Sequence, residues 1–406
     1  DNHSPVADIL WNAQMLYQSV VNRNLSTVKN LLKSNGYDLN SSQWNAWEES
    51  LSHRLRLIWG PPGTGKSRTL RTILLGLLHE AIQLGNNLRV LVTGPTYEAI
   101  DNVLLEVNDV LCGQSPLASS QVKVYRLRST SKVITPNIPQ NIDVETERNN
   151  VVFKQLIQEL KQSQGIFLVG ATVQQAFRMY DISGNPVQQF FDFIIVDEAS
   201  QLDVATSVLA LSGLADGGSV VIAGDPLQLP PIHQAESPYG LEYMVGSVFS
   251  YLKNRFSIQP LMLETNYRSA DSIVKLAHLA GYPSTLAAFS PMLMLNILKA
   301  IPSTTFSPTG WPANLYWTPD WAKILDPNLR VVCFVYEEGK SSQWNQFEAD
   351  AICALTKLLY NNISNQLINE IDPVTGSTKT SSLIPYTPQQ FWEKGVGIVT
   401  PHRAQQ

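Results

Sequence analysis

Five short runs of mostly apolar, partly β-branched residues limit the fold more than any other feature of this sequence. They are LRLIWG (55–60), RVLVTG (89–94), IFLVGAT (166–172), FIIVDEAS (193–200) and VVIAGD (220–225), and each ends abruptly in small or polar residues. Near-continuous apolar runs are strands buried on both faces, as in parallel sheets. Amphipathic stretches lie between most of them, so strands and helices alternate and right-handed crossovers follow. The class is α/β with a doubly wound parallel sheet. Sites in such sheets form beyond the carboxyl ends of the strands, where this sequence puts its polar residues.

A second set, VVCFVY (331–336), an amphipathic helix near 347–361 and VGIVT (396–400), predicts a second sheet domain of the same kind. Ahead of the first strand, Ile9, Leu10, Leu16, Val20, Val21, Val28, Leu31 and Leu32 fall at helical spacing and predict one or two helices. Asn40-Ser41-Ser42 offers an N-cap for a helix holding Trp44 and Trp47. The stretch 282–328, with Trp311, Trp317 and Trp321, reads as an insert or linker packed on the second domain. The expected division is a helical segment 1–40, a first domain 41–262 with an inserted segment at about 112–165, and a second domain 263–406.

Composition narrows the function classes. The net charge of -5 gives no bulk attraction to nucleic acid, so phosphate binding must come from local clusters. Cys112, Cys333 and Cys353 lie far apart without a CxxC pair, and the histidines show no ligand spacing. Neither a disulfide framework nor a zinc site is suggested, and a reducing, cytoplasmic setting fits best. No apolar run is long enough to span a bilayer, so no membrane partner is expected. Asp1 opens the chain without an initiator Met or a basic-then-apolar leader, which suggests an N-terminus that is not the natural one.

Gly60-Pro61-Pro62-Gly63-Thr64-Gly65-Lys66-Ser67 matches the G-x-x-x-x-G-K-[ST] phosphate loop, after a strand and at the start of a helix. Its glycines let backbone N–H groups turn inward around phosphate oxygens, and the helix N-terminus adds partial positive charge. Lys66 is expected to reach the β- and γ-phosphates of ATP and Ser67 to ligate Mg²⁺, with Arg68 next to them in the nucleotide-binding set. Asp197 and Glu198 close the FIIVDEAS strand: Asp197 as a Mg²⁺ holder through water, Glu198 as the base for the attacking water. Alone, two acids at a strand end are as well explained by solvation. Gly224-Asp225-Pro226-Leu227-Gln228-Leu229-Pro230-Pro231 ends the next strand, where Gln228 can bond both the γ-phosphate and the water; a Pro-rich turn explains the same residues.

GPPGTGKS, DEAS and GDPLQLPP in that order resemble the superfamily 1 helicases, in the up-frameshift and DNA-replication helicase branch. The resemblance implies two RecA-like P-loop domains in tandem. It makes Ser42-Gln43 similar to the Q motif, with Gln43 reading the adenine edge. GPTYEAIDNV (94–103) looks like the motif that grips the nucleic-acid backbone, although Tyr97 stands where relatives often carry Asn. Glu264-Thr265-Asn266-Tyr267-Arg268-Ser269 looks like the tyrosine–arginine motif that opens the second domain. Tyr267 and Arg268 then belong to the nucleotide site, Arg268 as a catalytic arginine. VGIVTPHRAQQ (396–406) and Asn345 with Glu348 also fit. The family's later motifs, a Gln-Gly-x-Glu segment and a helix with a second arginine, do not occur before Gln406, so the core is expected to be incomplete.

What this implies is an ATP-driven helicase or translocase on single-stranded DNA or RNA, moving 5′ to 3′ as that branch does. Nucleic acid is expected across Pro95, Thr96, Thr172, Thr400 and Pro401, which follow strand ends or open helices. Each threonine alone is better explained as a helix cap. The cluster Arg126, Arg128 and Lys132 is the alternative contact. Two other readings stand beside the first. One is a nucleotide-gated scaffold, with a nuclease or another subunit of a larger complex as partner; the other is a small-molecule P-loop kinase, which has no use for Gln228 or Tyr267-Arg268.

Overall fold

The computed structural model describes residues 4–131, 138–162, 164–182, 189–231, 239–240, 242–289, 294–300, 304–305, 317–319, 324–326, 329, 331–335, 344–360, 362–366, 370–371, 378–379 and 384–400. The chain divides into two units, residues 1–266 and 267–406.

In chain order the strands of the first unit are β1 (Leu55–Trp59), β2 (Leu88–Gly94), β3 (Val122–Arg128), β4 (Asp143–Glu145), β5 (Ile166–Thr172), β6 (Phe191–Val196), β7 (Leu214–Gly224) and β8 (Leu261–Met262). They form one sheet in the order β4-β3-β5-β2-β6-β7-β1-β8, and every pair is parallel. All five apolar runs are strands, as their composition demands. The segment 112–165 is not an insertion outside the sheet: it supplies β3 and β4. The chain leaves β1 for β2 and later returns to lay β6 and β7 between them. The carboxyl ends of β6, β7 and β1 therefore lie side by side at a topological switch point.

Helices α1 (Pro5–Trp11), α2 (Ala13–Gln18), α3 (Leu25–Ser34) and α4 (Ser41–Ser52) precede β1. The N-terminal helices are fastened to the first unit by hydrogen bonds: Tyr251 Oη donates to the Leu10 carbonyl (2.6 Å) and Arg56 to the Tyr17 carbonyl (2.6 Å). The Arg56 guanidinium also stacks 4.4 Å from the Tyr17 ring. Asn40 caps α4 in a reciprocal box with Gln43. Further helices are α5 (Lys66–Leu84), α6 (Tyr97–Cys112), α7 (Val151–Gln162) and α8 (Val173–Ile182). Helix α4 packs on α5 through fully buried Trp47, whose indole donates to the Thr72 carbonyl (2.9 Å). Trp44 meets Trp47 edge-on at 5.4 Å.

The second unit contains helices Asp271–Leu279 and Gln346–Leu359, the latter capped by Asn345, which accepts from the Glu348 N–H (3.1 Å). Its described strand pairs within the unit are short and antiparallel: Met294–Ile297 with Ile363–Gln366, Ile363–Gln366 with Ile384–Pro385, and Glu370–Ile371 with Thr378–Lys379. The runs expected as buried parallel strands form no strand over described residues 331–335 and 396–400. A parallel strand needs ladder partners, and there Val335 and Val399 lie exposed. Trp317 is fully buried with Ala354 and packs near Leu325 and Leu355, so part of the 282–328 stretch does pack on this unit. Among the described residues no helix is long and apolar enough to cross a membrane.

One contact tests the core directly. A Cβ on Gly76 of α5 would lie 2.9 Å from the Trp47 ring. Gly→Ala in a helix interior ordinarily stabilises by about 1 kcal/mol. Here we expect Gly76→Ala to destabilise by about 1–3 kcal/mol through overpacking, measured by urea unfolding; a gain in stability would contradict this packing.

Candidate nucleotide-binding site

The phosphate loop leaves β1 at Trp59 and enters α5 at Lys66, with the Gly60 N–H donating to the Gly224 carbonyl of β7 (3.0 Å). Gly63 and Gly65 have φ of +80° and +78°, a conformation that side-chain-bearing residues rarely adopt. A Cβ on Gly65 would also lie 2.5 Å from Gln43 Nε2, and one on Gly60 2.8 Å from Lys66 Cβ. Thr64 is buried, and its hydroxyl donates to the Pro61 carbonyl (2.7 Å), so it acts inside the loop. Ser67 stands half-buried on the first turn of α5, and exposed Arg68 donates to the Asp38 carbonyl (3.2 Å). Gln43 is 2% exposed. Its Oε1 accepts from the Asn40 N–H (3.1 Å) and its Nε2 donates to the Thr64 carbonyl (2.9 Å). In this structure the residue expected at the adenine edge braces the phosphate loop.

β6 delivers the acids to the same place. The Asp197 N–H donates to the Thr93 carbonyl (2.9 Å), extending the ladder past the strand end. Lys66 Nζ lies 2.8 Å from Asp197 Oδ1 and 2.5 Å from Glu198 Oε1. Asp197 is only 2% exposed, and burial pushes its carboxyl up while Lys66 pulls it down. Burial alone would lower the Lys66 pKa; Asp197 and Glu198 overcome it and hold the ammonium above its ordinary value. Glu198 sits at φ 52°, ψ 36°, left-handed, and its Oε2 is buried without a hydrogen-bond partner among the described residues. Gly94 leaves room for this turn: a Cβ there would be 2.8 Å from the Asp197 carbonyl oxygen.

The β7 turn is organised by Asp225, a residue absent from the expected set. It is fully buried, and its Oδ1 accepts from the Trp59 indole (3.0 Å) and the Leu227 N–H (3.2 Å). Its carbonyl accepts from the Gln228 N–H (3.1 Å). Gln228 is half-buried, and its side-chain amide makes no hydrogen bond among the described residues. Another unexpected participant, Asn266, donates from Nδ2 to the Pro62 carbonyl (2.8 Å). Tyr267 and Arg268 open the second unit, where the Tyr267 ring lies 4.9 Å from Phe289.

The cradle fits a polyphosphate with a divalent cation. Ser67 and Asp197 would hold the cation beside the orphaned Glu198 Oε2. Among the described residues no three His, Cys, Asp or Glu side chains gather to cage a metal.

The residues expected to touch nucleic acid divide. Pro95 is half-buried and Thr96 exposed, with the Thr96 hydroxyl capping α6 by accepting from the Ala99 N–H (3.3 Å). Thr172 is buried and accepts from the Gln175 N–H (3.4 Å). Thr400 is half-buried in the second unit, and Pro401 lies outside the described residues. The Tyr97 hydroxyl accepts from the Ser129 N–H (2.8 Å), and Arg126 lies 4.9 Å over its ring, which is packing. Arg126 is 1% exposed and bonded to Asp101 and Asp143; Arg128 pairs with Asp143 and Glu145. Neither is a free cation for a nucleic-acid backbone, and Lys132 lies outside the described residues.

A parallel doubly wound sheet with a phosphate loop, a Lys66–Asp197 contact and a glutamine turn beside it defines a P-loop nucleotide-binding domain. Residues 38–166 match the family described as "AAA domain". The chain is 26% identical, over 76% of its length, to DNA polymerase alpha-associated DNA helicase A of Schizosaccharomyces pombe, spanning 48% of that protein. It is 31% identical, over 61% of its length, to the human DNA replication ATP-dependent helicase/nuclease DNA2, and 28% identical, over 69%, to that of Saccharomyces cerevisiae. It spans 21% and 16% of those two proteins. These similarities support a superfamily 1 helicase of the up-frameshift and DNA-replication branch.

Removing Lys66 isolates a buried carboxylate. With Lys66→Ala the Asp197 carboxyl, already raised by burial, rises further. Between the ordinary value of 3.8 and that raised value the folded state holds more protons than the unfolded chain, so its stability falls as pH rises. We expect a deficit against the unsubstituted protein that is small near the ordinary carboxylate value and grows to about 3 kcal/mol at neutral pH. Denaturant unfolding across pH measures it, and a pH-independent deficit would contradict the pairing.

Proposed function

We propose that this chain is the ATP-hydrolysing core of a helicase or translocase acting on single-stranded DNA or RNA, with 5′ to 3′ movement. One observation carries the reading: Lys66 converges on Asp197 and Glu198 while Glu198 Oε2 stays buried and unbonded. The loop N–H groups bind the phosphates, and Lys66 moves from its carboxylates to the β- and γ-phosphate oxygens. Glu198 accepts the proton of the attacking water, and Gln228 orients that water. Mg²⁺, held by Ser67 and Asp197, would neutralise phosphate charge. Gln43 and Tyr267 are assigned to the nucleotide-binding set, Gln43 with its amide also bracing the loop, and residues 263–406 to a second RecA-like domain that brings Arg268 to the γ-phosphate. The nucleic acid crosses Pro95, Thr96, Thr172, Thr400 and Pro401. A second reading, a nucleotide-gated subunit of a nuclease-containing complex with little unwinding of its own, draws on the neutralised Arg126 and Arg128.

ATPase measurements with and without single-stranded DNA and RNA separate the two, strong stimulation supporting the first and nucleotide binding without stimulation the second. In the same assay we expect Glu198→Gln to bind ATP within a few-fold of the unsubstituted protein and to lose at least about a hundredfold in turnover. Turnover at the unsubstituted rate would remove Glu198 as the base.

Arg268 tests the coupling of closure to chemistry. A guanidinium supplied from the second domain neutralises charge in the transition state and is worth on the order of a thousandfold in rate. A surface ion pair is worth less than about 1 kcal/mol. We expect Arg268→Ala in the full-length protein to cut kcat on the order of a thousandfold with ATP affinity nearly intact. A rate within about threefold, well under 1 kcal/mol of barrier, would make Arg268 a surface residue.

A further inference from the structure

Two side-chain amides grip the phosphate loop, and only one of them, Gln43, is itself a residue expected at the nucleotide. Gln43 reaches the Thr64 carbonyl from α4. Asn266 reaches the Pro62 carbonyl from the other side of the loop's sequence, 204 residues away. Its approach is built into the sheet. β8 runs parallel to β1, with Ile58 beside Leu261 and Trp59 beside Met262. The Leu263 N–H then donates to the Trp59 carbonyl (2.9 Å), and the Glu264 N–H to Ser42 Oγ (3.2 Å). The chain that ends the first unit thus follows β1 upward, and beyond the end of β1 Asn266 takes the Pro62 carbonyl in the loop. Asn266 is 6% exposed, so its amide is held with little competition from water.

Peptide planarity makes these two bonds directional. In a trans peptide the carbonyl of one residue and the N–H of the next point opposite ways. Holding the Pro62 oxygen outward turns the Gly63 N–H inward, and holding the Thr64 oxygen outward does the same for the Gly65 N–H. The positive φ at Gly63 and Gly65 allows both turns. The two clamps therefore aim two donors of the anion cradle before any phosphate arrives, which reduces the ordering cost of binding.

We propose that Asn266 is a positioning residue of the phosphate cradle, acting through the Pro62 carbonyl on the Gly63 N–H. The proposal rests on the nucleotide-binding reading of the loop. It requires a donor at residue 266. Asn266→Asp keeps the shape and replaces the donor with a carboxylate facing a carbonyl oxygen.

Binding of fluorescently labelled ADP, and of adenosine as a competitor lacking phosphates, tests it in the full-length protein. Asn266→Asp should raise the Kd for ADP by about tenfold at neutral pH, leave adenosine affinity unchanged, and lower kcat at saturating ATP by less than about threefold. The ADP defect of this variant should shrink as pH falls, because the introduced carboxyl, once protonated, donates again; Asn266→Gln, which keeps a donor, should lose less than Asn266→Ala. Equal losses for ADP and adenosine would mean general damage and overturn the proposal. Asn266→Asp binding ADP normally while Lys66→Ala does not would overturn it and leave the nucleotide reading standing. ADP binding untouched by either substitution would overturn both.

Discussion

A single ammonium held by two consecutive carboxylates at the end of one strand is the constraint on which the rest of the first unit depends. Lys66 comes from the helix after β1, Asp197 and Glu198 from the end of β6, and β7 lies between those strands. Nζ–O distances under 3 Å require the three strands to end at matched heights, which the parallel ladder enforces through Trp59 beside Gly224 and Val196 beside Ile222. The Trp59 indole bond to Asp225 locks the same two strand ends once more, just above the sheet. A buried Asp197 without its cation would cost several kcal/mol or take up a proton. Any anion that drew Lys66 away would leave Asp197 needing another positive charge or a proton.

How much of this was legible depends on how local the signal is. β1, β2, β5, β6 and β7 could be read because strands buried on both faces must be apolar throughout. β3 could not: VKVYRLR carries three cations in seven residues, which looks like a solvated segment. It is in the sheet because Asp101, Asp143 and Glu145, from α6 and β4, neutralise Arg126 and Arg128 in place. The same pairing removes the basic patch that the sequence suggests there. Charge counted along a chain says nothing of the partners that fold onto it.

The site divides the same way. Lys66 could be nominated from the sequence because a phosphate loop is a short-range pattern, and Asp197 and Glu198 only beside it, because two acids after a buried strand are ambiguous by themselves. Asp225, Asn266 and the bracing role of Gln43 rest on hydrogen bonds spanning 166, 204 and 21 residues. Each is a polar side chain whose meaning depends on which backbone group the fold sets before it. Thr172 is ambiguous in the sequence between a nucleic-acid contact and a helix cap; in the fold it is buried and its hydroxyl accepts from the Gln175 N–H at a helix start.

Glu198 shows what the arrangement costs. A non-glycine residue in the left-handed region carries about 1–2 kcal/mol of steric strain, and among the described residues only Glu198 and Ser257 do so without being glycine. Glycine at 198 would relieve the strain and remove the carboxylate. An extended residue there would prolong the strand and point its side chain away from Lys66, since successive side chains of a strand face opposite ways. Turning the backbone left-handed directly after Asp197 brings two consecutive carboxylates onto the same ammonium, which no regular strand or helix allows. The strain sits at the one position where both adjacent side chains must face one atom, and it is retained because Lys66 bonds to both.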